Sequence, residues 1–152
     1  MSDIKKVLAT NRRAFYNYQI LSRTEAGLVL TGTEIRSVRA GRVEIRDAYA
    51  RPENGELWLV NAHIAPYVSG NIYNHDPKKP RKLLLHKREI AELSAEITQK
   101  GLTLVPLQIY IKKHVAKVQL GLARGKRQYD KRRTIIDRDR ELEARRAVQR
   151  QM

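Results

Sequence analysis

Ile45-Arg46-Asp47-Ala48-Tyr49-Ala50-Arg51-Pro52-Glu53-Asn54-Gly55-Glu56-Leu57-Trp58-Leu59-Val60-Asn61-Ala62-His63-Ile64 is the stretch that decides the fold class. Its centre, Pro52-Glu53-Asn54-Gly55, is turn chemistry, because Asn and Gly tolerate the left-handed backbone that a tight hairpin imposes. Ile45 to Ala50 reads as a strand before the turn. Leu57 to Ile64 alternates after it, with Trp58, Val60, Ala62 and Ile64 on one side. Period two on both flanks of an Asn-Gly turn spells an antiparallel pair, and Trp58 is expected in the core.

The same period recurs outward in both directions. Upstream, residues 1–10 read as a loosely held lead-in, and a strand from Phe15 places Tyr16, Tyr18 and Ile20 on one face. Leu28-Val29-Leu30 reads as a short buried strand. Thr31 and Glu34 then have capping-box spacing, in which each side chain satisfies an amide left open at a helix start. Ile35 and Val38 supply the buried side of that short helix, and Gly41 its left-handed stop. Downstream, residues 66–82 hold Pro66, Gly70, Pro77 and Pro80 among polar residues and read as a long loop, the kind that carries function or moves. Ile90, Leu93 and Ile97 follow at helical spacing, closed by Gly101. Val105, Leu107, Ile109 and Ile111 alternate, as do Ala116, Val118, Leu120 and Leu122, and the two runs read as antiparallel partners joined near Lys113.

At Arg124 the character changes. From there to Met152 there are eleven Lys or Arg against five acids, and Ile135, Ile136, Leu142 and Val148 form no stripe wide enough to dock. Ala, Arg, Glu and Gln are nevertheless good helix formers, and Glu141 and Arg145 are a favourable i,i+4 pair. Such a tail is expected to be disordered alone and helical on an anionic partner. The expected layout is a domain over 1–123 and a basic tail over 124–152. The domain is mainly β, an antiparallel barrel with two or three short flanking helices; among small barrels that meet RNA, the OB type is the template by analogy.

Composition sets the partner class. With 152 residues the chain makes one domain of ordinary size, burying roughly 65–70% of its extended surface without staples. It has no Cys, which removes disulfides and thiolate metal sites and fits the cytoplasm. Thirty-one Lys and Arg against sixteen Asp and Glu give +15, a field that attracts polyanions, nucleic acid before membrane. The longest apolar runs fall far short of the ~20 residues of a spanning helix. No apolar segment follows Lys5 and Lys6, so no signal peptide is read there.

Catalysis is hard to assemble from these residues. His63, His75, His86 and His114 are widely spaced and lack metal or acid–base context. Asn74-His75-Asp76 is read as structural or RNA-contacting, since neighbours on a loop rarely aim at one substrate. Gly121-x-x-x-Gly125-Lys126 is one residue too short for a phosphate loop and has Arg127 where Ser or Thr would hold magnesium. No catalytic residue, metal, cofactor or small-molecule substrate is expected. RNA binding needs cations for phosphate and flat groups for bases, and the chain clusters both. Arg12-Arg13, Arg36-Arg39-Arg42 and Lys78-Lys79-Arg81-Lys82 supply charge; Phe15, Tyr16, Tyr18, Tyr67, Tyr73 and Tyr129 stand near them.

Seven ordered motifs carry a resemblance. They are Asn11-Arg12-Arg13-Ala14, Glu25-Ala26-Gly27-Leu28, Gly32-Thr33-Glu34-Ile35-Arg36-Ser37, Asn74-His75-Asp76-Pro77, Arg81-Lys82-Leu83-Leu84-Leu85, Lys100-Gly101-Leu102-Thr103-Leu104-Val105-Pro106-Leu107 and Gly125-Lys126-Arg127-Gln128-Tyr129-Asp130-Lys131-Arg132. In these the chain resembles the SsrA-binding (small protein B) family from Asn11 to Arg132. The resemblance implies an OB-like barrel and a non-enzymatic adaptor for trans-translation. Its partners are then the tRNA-like domain of transfer-messenger RNA and the stalled ribosome, the tail entering the decoding site and empty mRNA channel. It also implies RNA-facing roles for Asn11, Arg13, Tyr18, Glu25, Arg81, Lys82 and Lys126, and a decoding-site role for Tyr129, Asp130, Lys131 and Arg132. Two departures stand out: Lys113-His114 lacks a glycine many relatives have, and Arg133 follows the tail motif where an acid is common. For Glu25 two readings remain: an acceptor for base or ribose donors, or a partner for a cation such as Arg13. A general single-stranded-RNA-binding OB protein or a ribosome-associated factor is the alternative. At 6% aromatic the chain is poor in the stacking rings such a binder uses.

Overall fold

A computed structural model describes residues 5–67, 74–126, 138 and 140–146. Strands β1 (Lys6–Thr10), β2 (Tyr18–Leu28), β3 (Val43–Glu44), β4 (Tyr49–Glu53), β5 (Glu56–Val60), β6 (His63–Ile64), β7 (Arg81–Leu84), β8 (Thr103–Lys112) and β9 (Val115–Gly125) are joined by α1 (Arg12–Asn17), α2 (Gly32–Arg39) and α3 (Lys87–Lys100). The main sheet runs β1-β8-β4-β5-β7-β2-β9, and β9 pairs back onto β8. Six strands therefore form a closed antiparallel ring, with β1 laid on the far end of β8. Strands β3 and β6 make a small separate ladder. The closed ring is compatible with the OB-like barrel expected.

The ring has two kinds of join. Strands β2, β9 and β8 pair along most of their lengths, from Tyr18↔Gly125 to Gly27↔Lys117 and from Thr103↔Ala123 to Lys112↔Val115. Strands β4, β5 and β7 pair continuously with one another. The two halves meet at narrow seams: Gly27↔Leu84 and Leu28↔Leu83 on one side, Ala50↔Leu104 on the other.

The core shows where period two is broken. Leu57 and Leu59 point inward and Trp58 is half-buried on the outer surface, the reverse of the expected parity. The reason is Asn61, whose φ of 64° ends β5 and flips the chain, so that Ala62 and Ile64 are buried after it. In β8 a bulge between Pro106 and Gln108 has the same effect. Leu104 and Ile109 enter the barrel, whereas Val105 and Leu107 face outward into a second cluster with Ala14 and Ala123, partly covered by Phe15, Tyr18 and Ile20. Pro106 has no N–H to give a ladder, which suits it to the bulge. Gly121, read in sequence as a spurious phosphate-loop residue, lies in β9, where a Cβ would stand 2.9 Å from Leu107.

Several local expectations are met. Thr31 and Glu34 form the capping box, and Gly41 has φ 76° behind α2. Gly101 closes α3 in the left-handed region, with Ile90 and Leu93 buried. At the β8–β9 turn, Lys113 and His114 both have positive φ, 52° and 65°. That is the type I′ geometry a two-residue hairpin prefers, here made without glycine. Other expectations are corrected. The lead-in contains β1, paired with β8. Arg12–Asn17 is a helix, so the strand read from Phe15 begins at Tyr18; it ends at Leu28, and Val29 is exposed. The strand read over Ile45 to Ala50 starts at Tyr49, and the loop read over 66–82 yields to β7 at Arg81.

Among the described residues, one ion pair lies in the interior. Arg81 Nε donates to Glu34 Oε2 at 2.5 Å, Nη1 to the Ala62 carbonyl at 2.6 Å, and Nη2 to the carbonyls of Asp76 and Pro77 at 3.2 and 3.1 Å. Glu34 Oε1 accepts the Thr31 amide at 2.9 Å and stands 3.5 Å from Lys79 Nζ. Burial raises the Glu34 pKa, but the Thr31 amide and the Arg81 guanidinium outweigh it, so the carboxyl sits below its ordinary value. A depressed carboxylate adds stability that is complete above the unfolded value of 4.5 and is lost as pH falls through the folded one. Glu34→Gln, which leaves Arg81 buried without its counter-charge, is expected to cost about 3–5 kcal/mol. Urea melts across the acid range check both points: the variant should lose the wild-type decline below the unfolded carboxyl value.

Candidate nucleic-acid interface

The sequence-predicted RNA residues fall into three places. The first surrounds α1. Asn11 is buried and caps the helix, accepting the Ala14 amide at 3.1 Å. Its Nδ2 donates to the carbonyls of Ile45 at 3.1 Å and Pro106 at 3.0 Å, while its backbone amide donates to Leu107 at 2.8 Å. Asn11 thus stitches α1 to the β8 bulge exactly where β1 stops pairing. A cleft of ≈ 390 Å³ opens beside it, lined by Arg13, Asn17, Tyr18, Arg46, Asp47 and Tyr49 among others. Arg13 Nη1 meets Asp47 Oδ1 at 3.0 Å with both side chains largely exposed, so solvent screens the pair and its guanidinium remains available to a stronger anion. Tyr18 is half-buried against the cluster beneath α1. Lys126 Nζ donates to the Phe15 carbonyl at 3.3 Å and its amide to Asn17 at 2.9 Å, so the end of the barrel is fastened to the same helix.

The second place lies toward the other end of β2. Glu25 does not meet Arg13. Its Oε2 accepts the Tyr110 hydroxyl and stands 3.8 Å from Lys112 Nζ. Lys5 Nζ lies 4.3 Å from the centre of the Tyr110 ring, a cation–π contact on the same surface. Burial first, then the hydrogen bond to Glu25 and its charge, raise the Tyr110 pKa well above the ordinary phenol value, so the hydroxyl stays a donor.

The third place is the β7 start, where one of the expected residues lies inside the protein. Arg81 is buried with its donors turned inward, because it neutralises Glu34 and gathers loop carbonyls. Lys82 is partly exposed and pairs with Glu56 at 2.9 Å on the outer face of the hairpin. Asn11 is likewise buried, with its polar atoms spent on the fold. The Asn74-His75-Asp76 motif is structural too. His75 Nε2 donates to the Ile64 carbonyl at 2.9 Å, so Nδ1 accepts from the Thr33 hydroxyl at 2.9 Å. Asn74 holds the amide and carbonyl of Tyr67, and Asp76 accepts the Lys78 amide. Sequence reading placed Arg81 in a surface cluster because a cation run looks alike whether its members point in or out. Tyr110 and Lys112, which sequence reading did not single out, reach Glu25 from β8 across the intervening β9, and no linear signal marks them.

Two ring contacts show cations and aromatics gathered as a polyanion site requires: Arg23 lies 5.5 Å from the Phe15 ring centre and Arg36 5.7 Å from that of Tyr67. Among the described residues Glu34 and Arg81 are the buried ions, and they cancel, so the interior adds nothing to the net charge. No described helix is long and apolar enough to cross a membrane, and no cluster of described residues has the make-up of a metal site. Tyr129, Asp130, Lys131 and Arg132 lie outside the described residues. Strand β9 runs through Arg124 and Gly125, two residues past the domain limit read at 123. Residues 140–146 are helical and exposed, and Arg145 Nη2 donates to Glu141 Oε1 at 2.6 Å, the i,i+4 pair expected.

A family model described as SmpB protein matches residues 8–150. The chain belongs to the SmpB protein family. A relative named SsrA-binding protein from Carboxydothermus hydrogenoformans is 56% identical over 142 residues, covering 92% of this chain and 95% of the relative. Another of that name, from Ligilactobacillus salivarius, is 57% identical over 141 residues, covering 93% and 91%. A chain solved under the description "tmRNA-SmpB: a journey to the center of the bacterial ribosome" is 51% identical and superposes with a TM-score of 0.67 over 85% of this chain and 94% of that one. The description of that solved chain names an RNA and a ribosome.

The structural role given to Asn11 is testable. Asn11→Ala removes a helix cap and two buried hydrogen bonds, one to the Pro106 carbonyl and one to the Ile45 carbonyl, which keeps the Ala48 amide; the loss should cost about 2–4 kcal/mol in urea melts. Asn11→Asp keeps the cap acceptor but sets a carboxylate against the Ile45 and Pro106 carbonyls, and should be no more stable. Full stability with weakened RNA binding in both variants would instead make Asn11 a surface contact.

Proposed function

We propose that this chain is the non-enzymatic adaptor that binds the tRNA-like domain of transfer-messenger RNA and delivers it to stalled ribosomes in trans-translation. The observation that carries the reading is family membership across residues 8–150 together with a half-identical chain solved with that RNA and a ribosome in its description. The physics agrees. A surplus of +15 borne outside a neutral interior is the electrostatic half of RNA recognition. The low aromatic content suits a folded RNA read by shape better than single strands read by stacking. The protein works in the cytoplasm, where its RNA and ribosome are.

Within that function, Arg13, Tyr18, Glu25, Lys82 and Lys126 meet the RNA directly, and Asn11 and Arg81 act by holding the surface in shape. The basic segment 124–152 leaves the barrel after Lys126, and its part beyond that residue serves the ribosome, probing the decoding site and empty mRNA channel through Tyr129, Asp130, Lys131 and Arg132. Support comes from its eleven cations against five acids and from the exposure of every described residue in the helix over 140–146. Lys131 and Arg132 pair with phosphate, and Tyr129 stacks on a base exposed by the vacant codon site.

Two measurements test this. The affinity for transfer-messenger RNA should fall with salt by roughly 0.7–0.9 log units per tenfold for each phosphate neutralised; a salt-independent affinity would sink the electrostatic account. A chain stopped after Lys126, which retains β9 and its bonds to α1, should hold the RNA nearly as well as the full chain yet fail to support alanine transfer on stalled ribosomes. Tyr129→Ala should lower transfer without altering RNA affinity, and Tyr129→Phe should be tolerated. Loss of binding and transfer together on truncation would place the tail in the RNA-binding fold and refute the division of labour.

A further inference from the structure

A carboxylate on an RNA-facing surface is a physical problem, since phosphate repels it. The surroundings of Glu25 show how the problem is solved. Oε2 is occupied by the Tyr110 hydroxyl, with Lys112 Nζ 3.8 Å away, while no hydrogen bond from a described residue reaches Oε1. The Glu25 side chain is 41% exposed, and it edges a groove formed with Gly27, Leu84, Leu85, His86 and Lys117. Tyr110 itself is buried under the Lys5 ammonium, so its ring cannot swing away and its hydroxyl has one place to point. Phenol donating and ammonium nearby fix the carboxylate's orientation and offset its charge.

Resting on the function proposed above, we infer that Tyr110 is a positioning residue for RNA recognition: it locks Glu25 so that one oxygen alone, Oε1, is presented to a hydrogen-bond donor of the folded RNA. The ligand class follows from the chemistry. A free carboxylate with two open oxygens matches paired donors on a base edge. With Oε2 taken, what remains is a single acceptor for one ribose 2′-hydroxyl or one exocyclic amine, a group that a folded RNA holds in place and a flexible strand does not. The raised phenol pKa keeps the donor protonated through the working range. The contact therefore supplies selectivity and little bulk affinity, the opposite of the lysines around it.

The test uses the full chain and two RNAs of equal length, a tRNA-like-domain transcript and an unstructured control. Tyr110→Phe keeps the ring and its Lys5 contact but removes the hydroxyl. It is expected to weaken the tRNA-like transcript by about 10-fold, the scale of one charge-assisted hydrogen bond, and to leave the control unchanged. Glu25→Gln, at an exposed position where folding is not at stake, should show the same selective loss. The double variant should be no worse than the weaker single one, because the hydroxyl acts only through the carboxylate. Equal losses on both RNAs in step with a lowered melting temperature, or strictly additive losses, would make Tyr110 a packing residue and overturn the inference. A wild-type chain without preference for the tRNA-like transcript would overturn the functional reading and this inference with it, whereas preference retained by Tyr110→Phe overturns the inference alone.

Discussion

The buried pair of Glu34 and Arg81 is the constraint on which the rest of the molecule depends. Two charges withdrawn from water are tolerated only when every remaining lone pair and proton is met. Here that demand reaches across the chain: the start of α2, the carbonyl at Ala62 and those at Asp76 and Pro77 are all drawn to one guanidinium. A loop that composition alone would leave loose is thereby held at both sides of its described part. His75 repeats the device with neutral groups, joining Thr33 to Ile64. The polar motifs that look most like an active site are the mortar of the fold.

Local signals were legible in the sequence where one residue's chemistry dictates one backbone. The Asn54-Gly55 turn, the Thr31–Glu34 box and the Gly101 stop belong here, since each is a short-range demand that tertiary structure left alone. Legibility failed where parity changes in mid-run. Asn61 in the left-handed region and the bulge beside Pro106 each shift the inward set by one, which put Trp58 inside on paper and outside in the structure. It failed again at Phe15, where aromatic alternation imitates a strand over a helix of six residues. The decisive signal there was Asn11, whose side chain caps that helix. Strand β1 carried no pattern because it lies on the outside of the ring and is mostly exposed.

The candidate surface was legible by residue type and obscure by orientation. Cation runs mark where a polyanion is met, yet Arg81 and Lys82 are adjacent and one is wholly interior. Alternation along β7 decides this, and it becomes visible only once Leu83 is known to face the core. The pairing of Tyr110 with Glu25 spans eighty-five positions and comes from the order in which β2, β9 and β8 lie side by side. No linear spacing encodes such a contact.

The narrow seams between the two halves of the ring carry a consequence for how the molecule breathes. Cooperative opening follows the path that breaks the fewest ladder bonds, so fluctuations should part β2 from β7 and β4 from β8 before they disturb the long ladders. Arg13, Tyr18, Glu25, Tyr110 and Lys126 all belong to the half built on β2, β9 and β8 with α1. Gaping of the β4-β5-β7 side would leave the Tyr110–Glu25 bond unbroken while moving Leu84, Leu85, Asp47 and Tyr49, which wall the grooves beside Glu25 and Arg13. The bonds that orient the site are thus held apart from the walls that would admit a ligand.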